Sequence, residues 1–289
     1  MSRIRIAIAI CIMSVFSWSA HAAESGARAY INAPIGLNIL QAVAVRSESA
    51  NGSLRLTSHA GVVRYFRYID VFGRAGLIGG FAPYAEAKLD VPAARLHRRT
   101  IGISDPTLVI GMDFIGAPAL SRKAFRQYRQ DLIIGGSLQI TAPLGRYDPA
   151  NSLNPGSNRW IIRPELAISQ GIGNWIIDLY GHYHYFTNNK AYLGNLLREQ
   201  KGRWGIDGHI SYTIMRGMWV SLDYMRKWGG ETSINGVLQG DKVRDGRMGF
   251  TAKMAFSTAN SIELTYRNDV ATRGTTESRS LTMKLEYLW

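Results

Sequence analysis

The chain has 289 residues, of which 30 are glycine, 14 tyrosine and 7 tryptophan, with a single cysteine and a formal charge of +13. A mean hydropathy of −0.09 is too polar for a bundle of membrane helices, and 46% hydrophobic residues are too many for a disordered chain. The lone Cys11 excludes a disulfide framework, and the dispersal of the positive charge argues against a nucleic-acid partner.

In chain order, the first segment is "MSRIRIAIAICIMSVFSWSAHAAES". Arg3 and Arg5 precede an apolar stretch from Ile6 to about Ala20, and Ala20-His21-Ala22 supplies small residues at the end. This is the layout of a secretory signal peptide, with cleavage expected near Ala22 or Ala23; the apolar stretch is too short for a membrane-spanning helix. Residues 1–23 are therefore expected to be a leader and 24–289 the mature domain.

After the leader, strands are expected at about 34–45, 60–72, 75–87 and 104–115. Within "VVRYFRYIDVF" Arg64 and Arg67 fall on opposite parities, so the faces of that strand are left unassigned. Then comes "GAPALSRKAFRQYRQD", residues 116–131, where Leu120, Ala124 and Tyr128 recur every four positions among basic residues. That spacing predicts a short amphipathic helix, lying against the mouth of the domain or on the membrane surface.

From residue 131 onward the pattern is period-two alternation, the mark of a strand with two unlike faces. "DLIIGGSLQITA" sets Leu132, Ile134, Leu138 and Ile140 against Ser137, Gln139 and Thr141. "NRWIIRPELAIS" opposes Trp160, Ile162, Leu166 and Ile168 to Arg163 and Glu165. "NWIIDLYGHYHYF" opposes Trp175, Ile177 and Leu179 to Asp178, His182 and His184. The next strands carry Asp207 and His209, then Asp223 and Lys227, then Lys253, then Glu263 and Arg267, each opposite an apolar face. The last, "SLTMKLEYLW", sets Leu281, Met283, Leu285, Tyr287 and Trp289 against Lys284 and Glu286. The total is twelve strands.

Links alternate between short turns and long polar loops, the latter at about 46–59, 88–103, 143–158, 187–203, 229–242 and 270–278. Short turns on one side and long loops on the other are how outer-membrane β-barrels are built, with the short turns periplasmic. A soluble β-sandwich also alternates. It does not, however, gather aromatic residues at the ends of its apolar faces as Trp160, Trp175, Trp204, Trp219, Tyr224, Trp228, Tyr287 and Trp289 do here. The fold class is therefore all-β: a transmembrane, antiparallel, up-and-down barrel of about twelve strands, closed so that no backbone edge meets lipid.

Inside such a barrel the candidate lining is Arg163, Glu165, Asp178, His182, His184, Asp207, His209, Asp223, Lys227, Lys253, Glu263, Arg267, Lys284 and Glu286. Charges of both signs in a narrow lumen are expected chiefly to pair with one another, and some also to select solutes. His182, His184 and His209 with Asp178 or Asp207 could in principle ligate a metal, but nothing in the sequence fixes their register. No serine stands at a recognisable spacing from a histidine, and there is no G-x-S-x-G, so no catalytic residue is assigned. The basic "RLHRR" (95–99) is placed in an external loop, where it could meet lipopolysaccharide phosphates.

Several segments together resemble one known family. They are "YINAPIGLNIL" (30–40), "GISDPTLVIGMDFIGAPAL" (102–120), "ITAPLGRYDPANSLNPGSNRWIIRPE" (140–165), "HYHYFTNN" (182–189), "YMRKWGG" (224–230) and "RMGFTAKM" (247–254). The resemblance is to the outer-membrane β-barrel family named for the meta pathway of phenol degradation, regarded as transporters. It implies a passive channel in the outer membrane of a Gram-negative bacterium, without cofactor, for small solutes, with aromatic or hydrophobic compounds suggested by the family's name. It supplies no site residues. The expected partners are outer-membrane lipid and lipopolysaccharide, the solute, and the barrel assembly machinery, which would read the terminal strand ending at Trp289. A lipid-hydrolysing barrel, or one that is purely structural, is the alternative.

Overall fold

The computed structural model describes residues 24–51, 54–272 and 276–289; the expected leader, 1–23, lies outside them. The strands are β1 (Asn38–Asn51), β2 (Leu54–Val71), β3 (Arg74–Val91), β4 (Leu96–Ile103), β5 (Thr107–Ile115), β6 (Leu132–Thr141), β7 (Ile161–Ile172) and β8 (Trp175–Phe186). After β9 (Asn189–Tyr192) and β10 (Leu196–Gln200) come β11 (Arg203–Met215), β12 (Met218–Gly229), β13 (Thr232–Ile234) and β14 (Val237–Leu238). The chain ends with β15 (Val243–Ala255), β16 (Asn260–Thr272) and β17 (Thr276–Leu288).

Every neighbouring pair in the main sheet is antiparallel, and β1 bonds to both β2 and β17, so the sheet closes. β4 and β5 both pair with β3 and occupy one place in the wall, giving a barrel of twelve strand positions. At the seam the Asn38 N–H donates to the Trp289 carbonyl (3.0 Å) and the Trp289 N–H to the Asn38 carbonyl (3.2 Å). The Trp289 ring stands outside the wall, 5.4 Å from Tyr287 and 6.1 Å from Tyr65, centroid to centroid. The outer surface carries Ile168, Ile177, Leu179, Ile210, Leu222, Phe250, Leu264 and Leu281, all exposed, while the polar partners on the same strands are buried. That inversion needs hydrocarbon outside, and the barrel is of the outer-membrane type.

Several expected boundaries shift. The stretches 46–59 and 88–103 are not loops: β2 and β3 have 18 residues each, against the roughly ten a tilted crossing needs. Their outer ends invert the pattern of the wall, with Leu54, Leu56, Ala87, Leu89 and Val91 turned inward and Arg55, Thr57, Glu86, Lys88 and Asp90 on the other face. A small apolar cluster of Leu54, Leu56, Ala87, Leu89, Val91 and Leu153 holds them together. The expected link 270–278 is likewise strand apart from 273–275, which lie outside the described residues, as do 52–53. "RLHRR" is not a free loop either, since β4 begins at Leu96, with His97 beside Asp90 (2.6 Å) and Arg99 beside Glu86 (2.6 Å). The strand expected to start at 104 starts at Thr107. Pro106 cannot donate to the ladder, and Asp105 turns its carboxylate to the Gly145 N–H (2.9 Å) and to the N–H and hydroxyl of Ser157 (2.7 and 2.6 Å).

The links 187–203 and 229–242 are more ordered than expected: β9, β10, β13 and β14 form a second, four-stranded sheet at the loop end of the barrel. The predicted helix over 116–131 shrinks to a single turn, α1 (Arg122–Phe125), whose first turn is capped by Ser121 Oγ accepting from the Ala124 N–H (3.3 Å). Its neighbours are fixed by tertiary bonds instead: the Ala75 N–H donates to the Ala117 carbonyl (3.0 Å), the Ala119 N–H to Gly73 (3.0 Å), and the Tyr128 hydroxyl to Gly116 (2.9 Å).

Candidate functional site: a lumen filled from the N-terminal side

The residues before β1, 24–37, run inside the barrel, and side chains from distant strands hold them there. Glu24 accepts from Lys227 Nζ and from Arg267 Nη1 (3.2 Å). Ser25 donates to Glu165 Oε1 (2.6 Å). Arg28 is gripped most fully. Its backbone N–H donates to Asp178 Oδ2 (2.9 Å), its Nε to Ser211 (2.8 Å) and its Nη2 to Thr213 (2.8 Å), and its guanidinium lies 4.9 Å from the centre of the Trp219 ring. The Tyr30 hydroxyl sits 2.9 Å from Ser137 Oγ and 3.0 Å from Glu165 Oε1. The Ile35 N–H donates to the Leu120 carbonyl (2.8 Å), joining this segment to the 116–131 link.

The structure places the sequence-predicted lumen residues as follows. Arg163 and Glu165 bond to each other (2.5 Å) on β7, and Asp178 on β8 receives Arg28. His182 Nε2 lies 3.4 Å from Asp207 Oδ2, with the His184 ring edge-on to His182 at 5.1 Å. Gly205 makes this possible, because any Cβ there would run into the His182 ring. His209 Nδ1 is 2.7 Å from Asp223 Oδ1, and Asp223 also accepts from Ser221 (2.7 Å) and Thr251 (2.7 Å). Lys227 and Arg267 meet at Glu24; Lys253 reaches Glu286 (2.6 Å), which also accepts from Gln41 (2.8 Å); Lys284 reaches Glu263 (2.8 Å). A buried charge is tolerated at low cost only when it is matched in this way. The three histidines do not converge, since His209 faces Asp223 while His182 faces Asp207. Among the described residues no group of three His, Cys, Asp or Glu is arranged to hold a metal.

Sequence reasoning missed four parts of this site. The N-terminal segment itself shows no alternation, and the hydrogen-bond partners of Glu24 to Tyr30 lie more than a hundred residues away. Trp219 was placed among the outer aromatics; it points inward, 8% exposed, under Arg28. The ambiguous β2 resolves with Arg64 inward, near the Phe81 ring (5.5 Å), and Arg67 outward, bonded to Asn38 Oδ1 (3.2 Å). Finally, the inner face of β1, β2, β3 and β5 is mainly apolar, Gln41, Arg64 and Asp113 being exceptions, with Val43, Val62, Phe81 and Val109 packed together and Val45 and Phe66 against them. The lumen is therefore two-sided, charged along β6 to β17 and apolar along β1 to β5. Between the inner wall and the N-terminal segment lies a cavity of about 330 Å³, lined on one side by Ile31, Leu37, Ile39, Phe66, Phe81, Val109 and Met112 and on the other by Arg28, Arg64, Asp113, Lys253, Glu263 and Glu286.

At the loop end, Arg159, Arg198 and Arg203 cluster. Burial, and then the positive charge of Arg198 and Arg203, holds the Arg159 pKa well below the ordinary guanidinium value; burial lowers that of Arg198.

With this geometry in view, the sequence matches a family model described as "Putative MetA-pathway of phenol degradation" over residues 37–285. The chain belongs to that family. No curated protein sequence matches it. Among solved structures it is similar to an outer membrane channel from Pseudomonas putida F1, with a TM-score of 0.81 at 22% identity, covering 92% of this chain and 100% of that one. It is also similar to the transport unit of the autotransporter AIDA-I from Escherichia coli, with a TM-score of 0.59 at 8% identity and 97% of each chain covered. Both likenesses concern the fold.

Proposed function

We propose that this family member is a passive outer-membrane channel for small compounds with an apolar, aromatic-sized part. The solute would enter at the loop end, occupy the cavity beside the apolar wall and leave past the N-terminal segment toward the periplasm, driven by its own gradient. The observation that carries this reading is the cavity of about 330 Å³ between residues 24–37 and the inner face of β1 to β5. It lies at the lower end of the range that encloses small molecules. A hydrophilic pore has no use for Val43, Val62, Phe66, Phe81 and Val109 facing inward. The paired charges opposite supply the polar side, where some of the lumen residues would also sort solutes by charge. The outer wall would meet outer-membrane lipid and lipopolysaccharide, and the strand ending at Trp289 would be the segment read by the assembly machinery. Cleavage of the leader near Ala23 would leave the chain beginning close to Glu24.

A lipid hydrolase has no comparable support. Ser221 gives its hydroxyl to Asp223 rather than to His209, and the whole group faces the lumen instead of lipid. The purified barrel in planar bilayers should carry a small ion current that falls as phenol or benzoate is added. A barrel that is demonstrably folded and never conducts would overturn the channel reading in favour of a structural one.

A further inference from the structure

The loop end holds a concentration of cationic charge that the lumen network leaves unexplained. Arg159, just before β7, is 6% exposed. Its Nη2 bonds to Gln200 Oε1 (2.5 Å), while its Nε and Nη1 are buried and have no hydrogen-bond partner among the described residues. Its guanidinium lies over the Phe186 ring at 4.5 Å, and Arg203, on β11, lies over the same ring at 5.7 Å. Arg198, on β10, lies 5.5 Å over Tyr192, and its Nε is also buried without a hydrogen-bond partner among the described residues. The carboxylates that act on Arg159 and Arg198, and Glu199 beside Arg198 in sequence, are already engaged elsewhere. Asp105 is taken by Gly145 and Ser157, Asp241 accepts from the N–H and hydroxyl of Thr232 (2.7 and 2.6 Å), and Glu199 accepts from Asn188 and Ser233 (3.2 Å each).

We propose that Arg159 and Arg198, with Arg203 behind them, form a binding site for an oxyanion, a carboxylate or a phosphate group, at the loop-end mouth of the lumen. Gathering like charges in a poorly solvated place is unfavourable unless something of opposite sign visits it. With each guanidinium held over an aromatic ring, Nε and Nη1 of Arg159 and Nε of Arg198 remain to meet such a visitor, and oxyanions match guanidinium N–H groups in pairs of hydrogen bonds. The aromatic rings do a second job, giving an aromatic or acyl body attached to the anion a surface to lie on. The site stands apart from the apolar cavity, so either can fail without the other.

The test is calorimetric titration of the full chain, stripped of lipopolysaccharide and held in a neutral detergent, with sodium benzoate and with inorganic phosphate as probes. The wild type should bind at least one of them, and the Arg159→Gln, Arg198→Gln double variant should lose at least about tenfold in affinity. Stronger benzoate binding assigns the site to a solute carboxylate. Stronger phosphate binding, with lipopolysaccharide co-purifying with wild type and not with the variant, assigns it to a lipid phosphate. Should the double variant not fold, Arg198→Gln alone, on the short β10, carries the same comparison. Absence of binding of either probe by folded wild type, or equal affinity in a folded variant, overturns the proposal.

Discussion

Arg28 is the residue on which the seating of the N-terminal segment depends most. Substituting Arg28→Ala removes the bonds from Nε to Ser211 and from Nη2 to Thr213, both 2.8 Å, and the stacking on Trp219. The backbone bond to Asp178 remains. The φ of 61° at this position is equally awkward for alanine, so the substitution adds no new backbone strain. Hydrogen bonds from a charged donor contribute about 1.5–3 kcal/mol each, and a desolvated cation–π contact about 0.5–2. Part of this returns when water solvates Ser211 and Thr213 in the undocked state, so a loss of about 3 kcal/mol in docking free energy is a fair figure. At 1.4 kcal/mol per tenfold, the ratio of docked to undocked segment falls roughly a hundredfold. Single-channel recording reads this directly as a comparable rise in the frequency of excursions to a higher conductance. Arg28→Lys keeps a charge over Trp219 but not the forked contact, and should fall between. If a folded Arg28→Ala barrel shows the wild-type pattern of openings, the segment does not hold the lumen shut.

Three further outcomes follow from the same geometry. Gly205→Val forces the His182 ring away from Asp207 and should destabilise the barrel by about 1–3 kcal/mol, read as a lower denaturant midpoint in vesicles. Tryptophan fluorescence in brominated lipid should divide the indoles by face, so that a protein keeping only Trp160, Trp175 and Trp204 is strongly quenched while one keeping only Trp219 is not. Equal quenching would contradict the inward orientation of Trp219. Deleting Trp289 removes the backbone pair with Asn38 and the contact with Tyr65 at the closing seam. It should slow refolding into vesicles several-fold while leaving the β content of the folded fraction unchanged, and an unaltered rate would deny the seam that role.

The second half of the barrel was legible in the sequence because its two faces differ in kind. Leu166 and Ile168 alternate with Glu165 and Ala167, and Ile206 and Ile210 with Asp207 and His209, so period two is visible and the inward set can be named residue by residue. The first half was not, for a physical reason that bears on function. On β1 and β2, Leu40 and Val63 face lipid while Ile39, Val43, Val62 and Phe66 face the apolar part of the lumen, so both parities read as hydrophobic. The same property that blurs the strand pattern builds the cavity. The outer ends of β2 and β3 do alternate, Leu54, Leu56, Ala87, Leu89 and Val91 inward against Arg55, Thr57, Glu86, Lys88 and Asp90, but the set is short and broken by small and polar residues, so it reads as a loop. The 116–131 link has helical spacing, yet a segment this short is marginal as a helix on its own, and its backbone finds partners in the β2–β3 turn and in residue 35 instead. Nothing local marks residues 24–30 as a lumen segment, since the side chains that hold them are contributed by strands far along the chain.

The central claim is that a small apolar solute seats between the N-terminal segment and the inner wall of β1 to β5. The most direct measurement is photoaffinity mapping with a small aromatic diazirine on the barrel in lipid vesicles, with the labelled residues located by mass spectrometry and competed with phenol. Labelling of Ile39, Phe66, Phe81 or Val109 that phenol suppresses is the predicted result. Labelling confined to lipid-facing residues such as Leu138 and Phe250, and indifferent to phenol, would contradict the account.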